Sequence, residues 1–335
     1  MANIRDVADA AGVSTASVSR FLAGQKVRTA EQIRTAIAAL DYTPSTVARS
    51  LKTGRHGAIG VIVPDITNPF FAGLVRGIED QARLNGHDVI LGNSDESPAQ
   101  EQTLVLALLK RVDGLIVAPI IEEDQSILGL SKTAVPVVLV DRAVNSTTYD
   151  SVLVDNIGGI QMAIVHLVEL GHRDIAFISG PLTSTPGRAR HTGYLLATAA
   201  HNLDYRPEFV IEGDFREEGG HAAMNQLWSL PERPTAVVVA NNLMTIGALK
   251  ALNELQVAVP STVSIIGFDD LSFAELLQPP LTVIAREDYD QGSRAAKLLF
   301  DRISGVRTRG GEVTTLPVQL IVRSSTAKPT ETTAS

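Results

Sequence analysis

The chain has 335 residues, of which 44% are apolar, so it can bury a large core, and its length favours two or three domains. It contains no cysteine, which excludes a disulfide framework, a cysteine metal site and a thiol nucleophile. We expect a cytoplasmic protein with no membrane partner, because no signal peptide is visible and no apolar run approaches the roughly 18 residues that span a bilayer.

The charge is distributed unevenly along the chain. Its net value is −8, but residues 1–55 hold eight Lys or Arg and only four Asp or Glu, a net charge of +4. The remainder therefore carries −12. A small basic head on an acidic body is the asymmetry expected of a DNA-contacting module joined to a separate domain.

Residues 3–22 predict two short helices that are separated by a tight turn. Gly12 can adopt the left-handed conformation that ends a helix, and Ser14 is a good N-cap for the next one. This pattern is typical of a helix-turn-helix unit, in which the second helix enters the major groove. The alternative is an ordinary helical hairpin in a globular core. In the DNA-binding interpretation, the residues that reach base edges are Thr15, Ala16, Ser17 and Arg20.

A third helix follows and completes the headpiece. Ile33, Ile37 and Leu40 form its apolar stripe, and the helix ends before Pro44, because a residue that precedes proline disfavours the α conformation. We therefore predict an all-α headpiece over residues 1–44.

Residues 45–57 are predicted to connect the headpiece to the body. Residues 45–52 have a short helical pattern with little apolar content, and residues 53–57 resemble a linker. An isolated helix of eight residues is marginal in water. The segment is therefore either a helix that folds only when it docks on a partner or on DNA, or a plain linker.

From residue 58, short apolar runs alternate with amphipathic helical segments. Such alternation predicts a doubly wound parallel α/β sheet, and residues 58–325 are too many for one such sheet, so we predict two lobes. Their ligand is expected in the cleft at the carboxyl ends of the strands. The polar residues 326–335 are predicted to be disordered. The predicted strands are 59–63, 89–91, 115–117, 137–140, 152–154, 175–178, 237–239 and 265–268.

Enzyme motifs are missing from the sequence. It contains no phosphate-binding loop, no dinucleotide-binding glycine motif and no nucleophile elbow, so we expect neither catalysis nor a cofactor. His166, Glu169 and His172 are close in sequence, but Gly171 is expected to end their helix. A helix end at the surface is therefore preferred to a metal site, which needs three or four convergent ligands.

Polar and aromatic residues follow the predicted strands. Asp, Asn and Arg side chains can bond the donor and acceptor pairs of sugar hydroxyls, and phenylalanine can stack on a sugar ring. Each such residue alone is more simply a cap or turn residue, but six groups together favour a pocket for a polyol. The groups are Asn68, Phe70 and Phe71; Asp141 and Arg142; Arg188 and Arg190; Phe215; Asn241 and Asn242; and Asp269 and Asp270.

Several motifs resemble those of the LacI/GalR family of bacterial transcription regulators, and the resemblance covers the chain from Asn3 to about Ser325. It implies a helix-turn-helix headpiece followed by a periplasmic-binding-protein-like core. The motifs are Asp6-Val7-Ala8-x-x-Ala11-Gly12-Val13-Ser14-x-x-x-Val18-Ser19-Arg20, Tyr42-x-Pro44-x-x-Val47-Ala48-Arg49-x-Leu51, Ile59-Gly60-Val61-Ile62-Val63-Pro64-Asp65-Ile66-x-Asn68-Pro69-Phe70-Phe71, Gly267-Phe268-Asp269-Asp270 and Pro279-Pro280-Leu281-Thr282.

The resemblance implies a homodimer that reads double-stranded operator DNA. Residues 45–52 would be a hinge helix that folds on the operator, and Leu51 would wedge into the minor groove. Ala23 and Ser45 replace asparagines that are frequent in the family. The implied DNA-binding residues are Asn3, Ile4, Ser14, Thr15, Ala16, Ser17, Arg20, Ala48, Leu51 and Lys52.

The resemblance also implies a small-molecule effector in a ribose-type pocket. A ribose-like pentose is the first choice, and another monosaccharide, a sugar phosphate or a nucleoside remains open. Arg286 stands where the ribose pocket has a glutamine. A sugar-responsive repressor is therefore preferred to a binding protein without a DNA role or to a carbohydrate enzyme. The implied effector-binding residues are Asn68, Phe70, Phe71, Asp141, Arg142, Arg190, Phe215, Asn241, Asp269 and Arg286.

Overall fold

The computed structural model of the chain describes residues 2–22, 24–43, 55–120, 122, 135–144, 149–308 and 310–330. These residues belong to two compact units, Met1–Gly57 and Ala58–Ser335. The predicted hinge helix over residues 45–52 lies outside the described residues.

The described part of the first unit contains the predicted helices, which are α1 (Ile4–Ala11), α2 (Thr15–Leu22) and α3 (Ala30–Ala39). Gly12 ends α1 in the left-handed conformation, with a φ of 64°. Ser14 caps α2, because its Oγ accepts a hydrogen bond of 3.2 Å from the backbone N–H three residues later. The apolar faces of the helices meet in a small core, where Val7, Val18 and Ile33 have no exposed surface. The local signals of the turn therefore determine how the chain folds here.

The second unit alternates strands with helices. Its strands are β1 (Ala58–Val63), β2 (Asp88–Asn93), β3 (Gly114–Val117), β4 (Val137–Val140), β5 (Asp150–Val154), β6 (Ile175–Ser179), β7 (Val210–Glu212), β8 (Ala236–Val239), β9 (Ser264–Phe268), β10 (Thr282–Ala285), β11 (Val313–Leu316) and β12 (Gln319–Ile321). Its helices are α4 (Pro69–Leu84), α5 (Pro98–Leu108), α6 (Asn156–Glu169), α7 (Thr185–Ala200), α8 (Glu217–Trp228), α9 (Asn242–Glu254) and α10 (Asp288–Ile303). Within the described ranges, no helix has the length and apolar character that a membrane span requires.

The strands form two six-stranded sheets, and each sheet is the centre of one lobe. The order is β11-β5-β4-β3-β1-β2 in the first lobe and β12-β10-β9-β8-β6-β7 in the second. Neighbouring strands are parallel, apart from the antiparallel pair of β10 and β12. Central strands such as β1, β4 and β8 are buried along their whole length, as expected for sheets that helices cover on both faces. The predicted doubly wound, two-lobed core is confirmed.

The described chain crosses between the lobes at three places, which lie between β5 and α6, between β10 and α10, and between β11 and β12. The sequence analysis did not predict β10, β11 or β12. These strands have only three or four residues, so their apolar runs are short, and β11 and β12 are only partly buried. The end of the chain therefore contributes one edge strand to each lobe.

Residues 326–330 pack on the second lobe, so the prediction that they are disordered is wrong. The backbone N–H of Ala327 donates a hydrogen bond of 3.0 Å to the Ser264 hydroxyl. Nε2 of His172, a residue that is 1% exposed, donates to the Ala327 carbonyl oxygen at 2.8 Å. These contacts join polar groups that are distant in sequence, so no apolar pattern in the sequence could have predicted them. Residues 331–335 lie outside the described residues.

Acid is expected to weaken the second lobe at His172. Burial lowers the pKa of this imidazole from its ordinary value of 6.5 and outweighs the opposite effect of its hydrogen bond to Ala327. The unfolded chain then binds the proton at a higher pH than the folded chain, so stability is lost as the pH falls below about 6.5. The urea midpoint of the wild type should therefore fall more steeply between about pH 7 and pH 5 than that of His172→Gln. Equal slopes would contradict this assignment.

Candidate effector site and nucleic-acid interface

A cleft lies where strands of both lobes end. Asp141 directly follows β4 of the first lobe, and Asp269 directly follows β9 of the second. The ten residues that the family resemblance implies for effector binding all line this cleft, namely Asn68, Phe70, Phe71, Asp141, Arg142, Arg190, Phe215, Asn241, Asp269 and Arg286. Three further strand-end residues that the sequence analysis grouped with them do not line it, namely Arg188, Asn242 and Asp270. The sequence analysis did not predict a place in the cleft for five further lining residues, which are Asp65, Glu96, Pro186, Asp214 and Arg216.

The centre of the cleft is a cluster of one guanidinium and two carboxylates. Nε of Arg286 donates to one oxygen of Asp269 at 2.6 Å, and Nη2 donates to the other at 3.2 Å. Nη1 of the same arginine donates to Asp141. The guanidinium carbon lies 3.3 Å from the centre of the Phe70 ring, so the cation stacks on the aromatic face. The side chains of the three charged residues are at most 6% exposed.

The charges in this cluster stabilise one another. Burial by itself would raise the pKa of Asp141, but the positive charges of Arg286, Arg142 and Arg190 outweigh burial and hold this pKa below its ordinary value of 3.8. Burial likewise opposes the charge of Arg286, yet Asp269 and Asp141 raise its pKa above the ordinary value. Asp141 and Arg286 are therefore both ionised at neutral pH.

Arg142 forms a second ion pair in the cleft. It donates two hydrogen bonds to the carboxylate of Glu96, one of which is 2.9 Å long. Its guanidinium carbon lies 5.8 Å from the centre of the Phe215 ring. Glu96 follows the end of β2 by three residues, so a search a few positions beyond each strand end would have found it.

Arg190 is the third buried guanidinium, and its hydrogen bonds within the described structure go to neutral groups. Nε donates to Oδ1 of Asn156 at 2.7 Å, and Nη1 donates to the carbonyl oxygen of Ala240. The guanidinium carbon lies 3.6 Å from the centre of the Phe268 ring. Burial lowers the pKa of Arg190 to about 10, so the group remains charged at neutral pH.

Two buried N–H groups in the cleft have no hydrogen-bond partner among the described residues. They are Nε of Arg142 and Nη2 of Arg190. Buried donors in folded proteins almost always have a partner, and an unpaired one costs about 1–3 kcal/mol. Both donors are therefore available to the oxygen atoms of a ligand.

Four residues of the cleft have a left-handed backbone, which side chains rarely adopt. Their φ angles are 53° at Glu96, 65° at Asp141, 65° at Phe215 and 72° at Asp269. Such strain costs about 1–3 kcal/mol per residue and is concentrated at functional sites, where the surrounding structure maintains it. The grouping of four such residues around one cleft supports its interpretation as a ligand site.

Asn68 and Asn241 have structural roles as well as a place in the cleft. Oδ1 of Asn68 accepts hydrogen bonds from the Phe70 backbone N–H at 3.0 Å and from Nδ2 of Asn242, in the other lobe, at 2.9 Å. Asn241 caps α9, and its Nδ2 donates to the Phe215 carbonyl oxygen at 2.9 Å. Both asparagines are therefore cap or turn residues, and both also line the cleft.

The two histidines that were considered as metal ligands, His166 and His172, have ordinary hydrogen-bond partners. Nε2 of His166 lies 2.9 Å from the Thr326 hydroxyl, and Nδ1 of His172 lies 2.9 Å from that of Thr235. Among the described residues, no group of three or more His, Cys, Asp or Glu side chains could hold a metal ion.

In the first unit, most of the predicted DNA-contacting residues face solvent. Ser14, Thr15, Ala16 and Arg20 are exposed, and Ser17 is half-buried. Arg20 lies along α2, with its Nε 3.4 Å from the Ala16 carbonyl oxygen. The outer face of α2 therefore presents small side chains and one arginine.

The remaining predicted contacts differ in their surroundings. Asn3 caps α1, because its Oδ1 accepts a hydrogen bond of 2.8 Å from the Arg5 backbone N–H. Ile4 is half-buried against the core of the first unit. Three predicted residues lie outside the described part of the chain, namely Ala48, Leu51 and Lys52.

Comparison with known proteins agrees with both units. Residues 3–45 match the model of the bacterial regulatory proteins of the lacI family, and residues 164–326 match that of the periplasmic binding protein-like domain. The chain is 35% identical over 335 residues to the HTH-type transcriptional repressor PurR of Mannheimia succiniciproducens, covering 98% of this chain and 99% of that protein.

Two solved structures are similar over most of the chain. The lac repressor dimer bound to operator and the anti-inducer ONPF has a TM-score of 0.86 at 29% identity, covering 97% of this chain and 99% of that chain. A LacI family regulator from Enterococcus faecium with bound ribose has a TM-score of 0.73 at 32% identity, covering 82% of this chain and 100% of that chain.

These similar proteins are transcriptional regulators rather than enzymes. The matched family model contains the helix-turn-helix, and the similar repressor covers almost the whole chain. The chain therefore belongs to the LacI family of bacterial regulatory proteins, and it is a DNA-binding transcriptional repressor with a small-molecule effector.

Proposed function

We propose that the effector of this repressor is a neutral monosaccharide, with a ribose-like pentose as the first candidate. The observation that carries the proposal is the set of three buried guanidiniums and three carboxylates between the aromatic walls of the cleft. The ribose-bound regulator from Enterococcus faecium, at 32% identity, supports the same ligand class.

The chemistry of the cleft suits a polyol. Each sugar hydroxyl donates one hydrogen bond and accepts others, so a polyol needs carboxylates and guanidiniums close together. The unpartnered N–H groups of Arg142 and Arg190 supply donors. Phe71 and Phe215 line the same cleft and offer apolar faces for the carbon side of a sugar ring.

The charge balance of the cleft argues against a phosphorylated effector. The guanidiniums of Arg142, Arg190 and Arg286 are matched by three carboxylates, and Arg216 pairs with Asp95 at 2.9 Å. A phosphate group carries about −1.5 to −2 charges at neutral pH, and burying them without a compensating cation is costly. We therefore rank a sugar phosphate below a neutral sugar.

A purine-type effector is the second candidate. It is suggested by the PurR-type repressors to which the chain is similar, at 35% identity over nearly its full length. A flat, neutral base can also stack on phenylalanine. A base would use fewer of the charged groups in this cleft than a polyol would, which is why we place it second.

Ligand binding to the full chain tests this proposal. Ribose, other pentoses and hexoses, ribose 5-phosphate, purine bases and nucleosides should be compared by thermal shift and then by calorimetry, because a ligand of the native state raises the melting temperature. We expect ribose or a close pentose to give the largest shift. A shift with a purine base and none with any sugar would replace the first candidate by the second.

For the binding of DNA, we propose that a homodimer in the cytoplasm binds a pseudo-palindromic operator through α2. In this proposal residues 1–44 read the DNA, residues 45–57 connect and residues 58–325 bind the effector. A gel-shift assay with the chain's own upstream region, with and without ribose, tests it. Release by ribose makes the sugar an inducer, tighter binding makes it a corepressor, and no binding at low salt contradicts the proposal.

Gly180 is expected to matter because it makes room for the Phe215 ring. A Cβ at position 180 would lie 2.0 Å from Cε1 of that ring, so Gly180→Ala must displace it. We expect effector affinity, measured by calorimetry, to fall about tenfold, or about 1.4 kcal/mol. In a double-mutant cycle with Phe215→Leu, the two losses should not add, because the second change removes the clashing atoms. Fully additive losses would show that the ring is not the cause.

A further inference from the structure

Arg286 occupies the part of the cleft in which a ligand would be expected to lie. Its guanidinium carbon is 3.3 Å from the centre of the Phe70 ring, which is a stacking distance. One edge of the guanidinium donates hydrogen bonds to both carboxylate oxygens of Asp269, and another N–H donates to Asp141. A planar group with hydrogen-bond donors at its edge and a phenylalanine against its face has the contacts of a bound ligand.

This arrangement also joins the two lobes. Asp141 follows β4 of the first lobe, Asp269 follows β9 of the second, and Arg286 follows β10 where the chain returns to the first lobe. Without the guanidinium, two buried carboxylates would face each other across the cleft, and like charges in a buried site repel. The cation therefore favours a closed cleft in the absence of any other ligand.

We propose that Arg286 is an internal latch that closes the effector cleft and competes with the effector for Phe70, Asp141 and Asp269. The proposal rests on the function proposed above and adds a specificity rule to it. An effector must replace the hydrogen bonds of both carboxylates and the stacking on Phe70 in order to displace the guanidinium. Ligands with a single hydroxyl or without an apolar face are rejected because they cannot meet that requirement.

The test is Arg286→Gln in the full-length protein, with Arg188→Gln as a matched control. Arg188 also pairs with a carboxylate of the other lobe, Glu122, but it lies outside the lining of the cleft. The first readout is amide hydrogen exchange without ligand in residues 66–72 and 214–220, which border the cleft. The second readout is ribose affinity by calorimetry.

We expect Arg286→Gln, but not Arg188→Gln, to speed exchange in both segments. We also expect it to bind ribose about tenfold more tightly than the wild type, because removing a competing closed state raises the population that can bind. Arg286→Lys should fall between the wild type and Arg286→Gln, because it keeps a charge between the carboxylates but has no planar face. The lysine variant keeps the test decisive if the glutamine variant does not fold.

Weaker ribose binding by Arg286→Gln with unchanged exchange would overturn the proposal, because Arg286 would then contact the effector directly. No change in either hydrogen exchange or ribose affinity would also overturn the proposal, because the ion pairs of Arg286 with Asp141 and Asp269 would then have only a structural role. Faster exchange with no ribose binding by any variant, the wild type included, would support the latch and reject the proposed effector. Normal ribose binding by the wild type with unchanged exchange in both Arg286 variants would reject the latch alone.

Discussion

Replacing Arg190 by leucine is expected to destabilise the second lobe and to abolish effector binding. The change leaves Oδ1 of Asn156 and the carbonyl oxygen of Ala240 without their donor, and it removes the guanidinium that stacks on Phe268. Unpaired buried acceptors cost about 1–3 kcal/mol each, and the relief of burying one charge fewer offsets part of that cost. We expect a net loss of about 2–3 kcal/mol.

Urea unfolding followed by tryptophan fluorescence measures this loss. The chain has a single tryptophan, Trp228, which is buried in the apolar core of the second lobe and so reports on that lobe. Calorimetry with ribose at a temperature where the variant is folded separates binding from stability. Arg190→Lys keeps the charge but reaches fewer partners, so both effects should be smaller.

Arg206→Leu is the matched control for Arg190. Arg206 also stacks on a phenylalanine of the second lobe, with its guanidinium carbon 4.1 Å from the centre of the Phe209 ring, but it lies outside the cleft lining. We expect its ribose affinity to equal that of the wild type. If Arg206→Leu reduced ribose affinity as much as Arg190→Leu, the loss would reflect general damage to the lobe.

Replacing Arg20 by alanine is expected to weaken operator binding about 5- to 150-fold, or about 1–3 kcal/mol, at constant salt. Arg20 is the one arginine on α2, it is exposed, and its described contact is a long hydrogen bond to the Ala16 carbonyl oxygen. The neighbouring Thr15 and Ala16 can offer bases only a hydroxyl and a methyl group. A bidentate contact from Arg20 to guanine would therefore supply most of the direct readout.

Competition binding with operator variants distinguishes base readout from a phosphate contact. If Arg20 reads a base, Arg20→Ala should reduce the preference between the operator and a variant altered at one guanine. Arg34→Ala is the control, because Arg34 is an exposed arginine of the same unit that pairs with Glu31 on α3. If both variants lost the same operator affinity, kept the base preference and showed a weaker dependence of binding on salt concentration, Arg20 would instead contact the phosphate backbone of the DNA.

Much of the candidate site follows from the chain itself. Parallel strands end at one edge of a sheet, so residues that follow neighbouring strands of one sheet, such as Asn241 and Asp269 in the second lobe, had to lie near one another. The headpiece is equally local, because Gly12 ends one helix and Ser14 begins the next within three residues. Where a structural element depends on neighbours in sequence, composition and spacing were sufficient to predict it.

The sequence by itself determined the helix-turn-helix, the two alternating lobes and the ring of residues at the strand ends. Only the tertiary structure decided how the charges in that ring are paired. Arg286 and Asp141 are 145 positions apart, and Arg142 and Glu96 are 46 apart. Such pairings depend on how two lobes that the chain crosses three times pack together. Several carboxylates follow the strand ends, so their positions in the sequence could not show which of them would pair with Arg142 or with Arg286. The packing of the two lobes decides those pairings and leaves Arg190 with neutral partners.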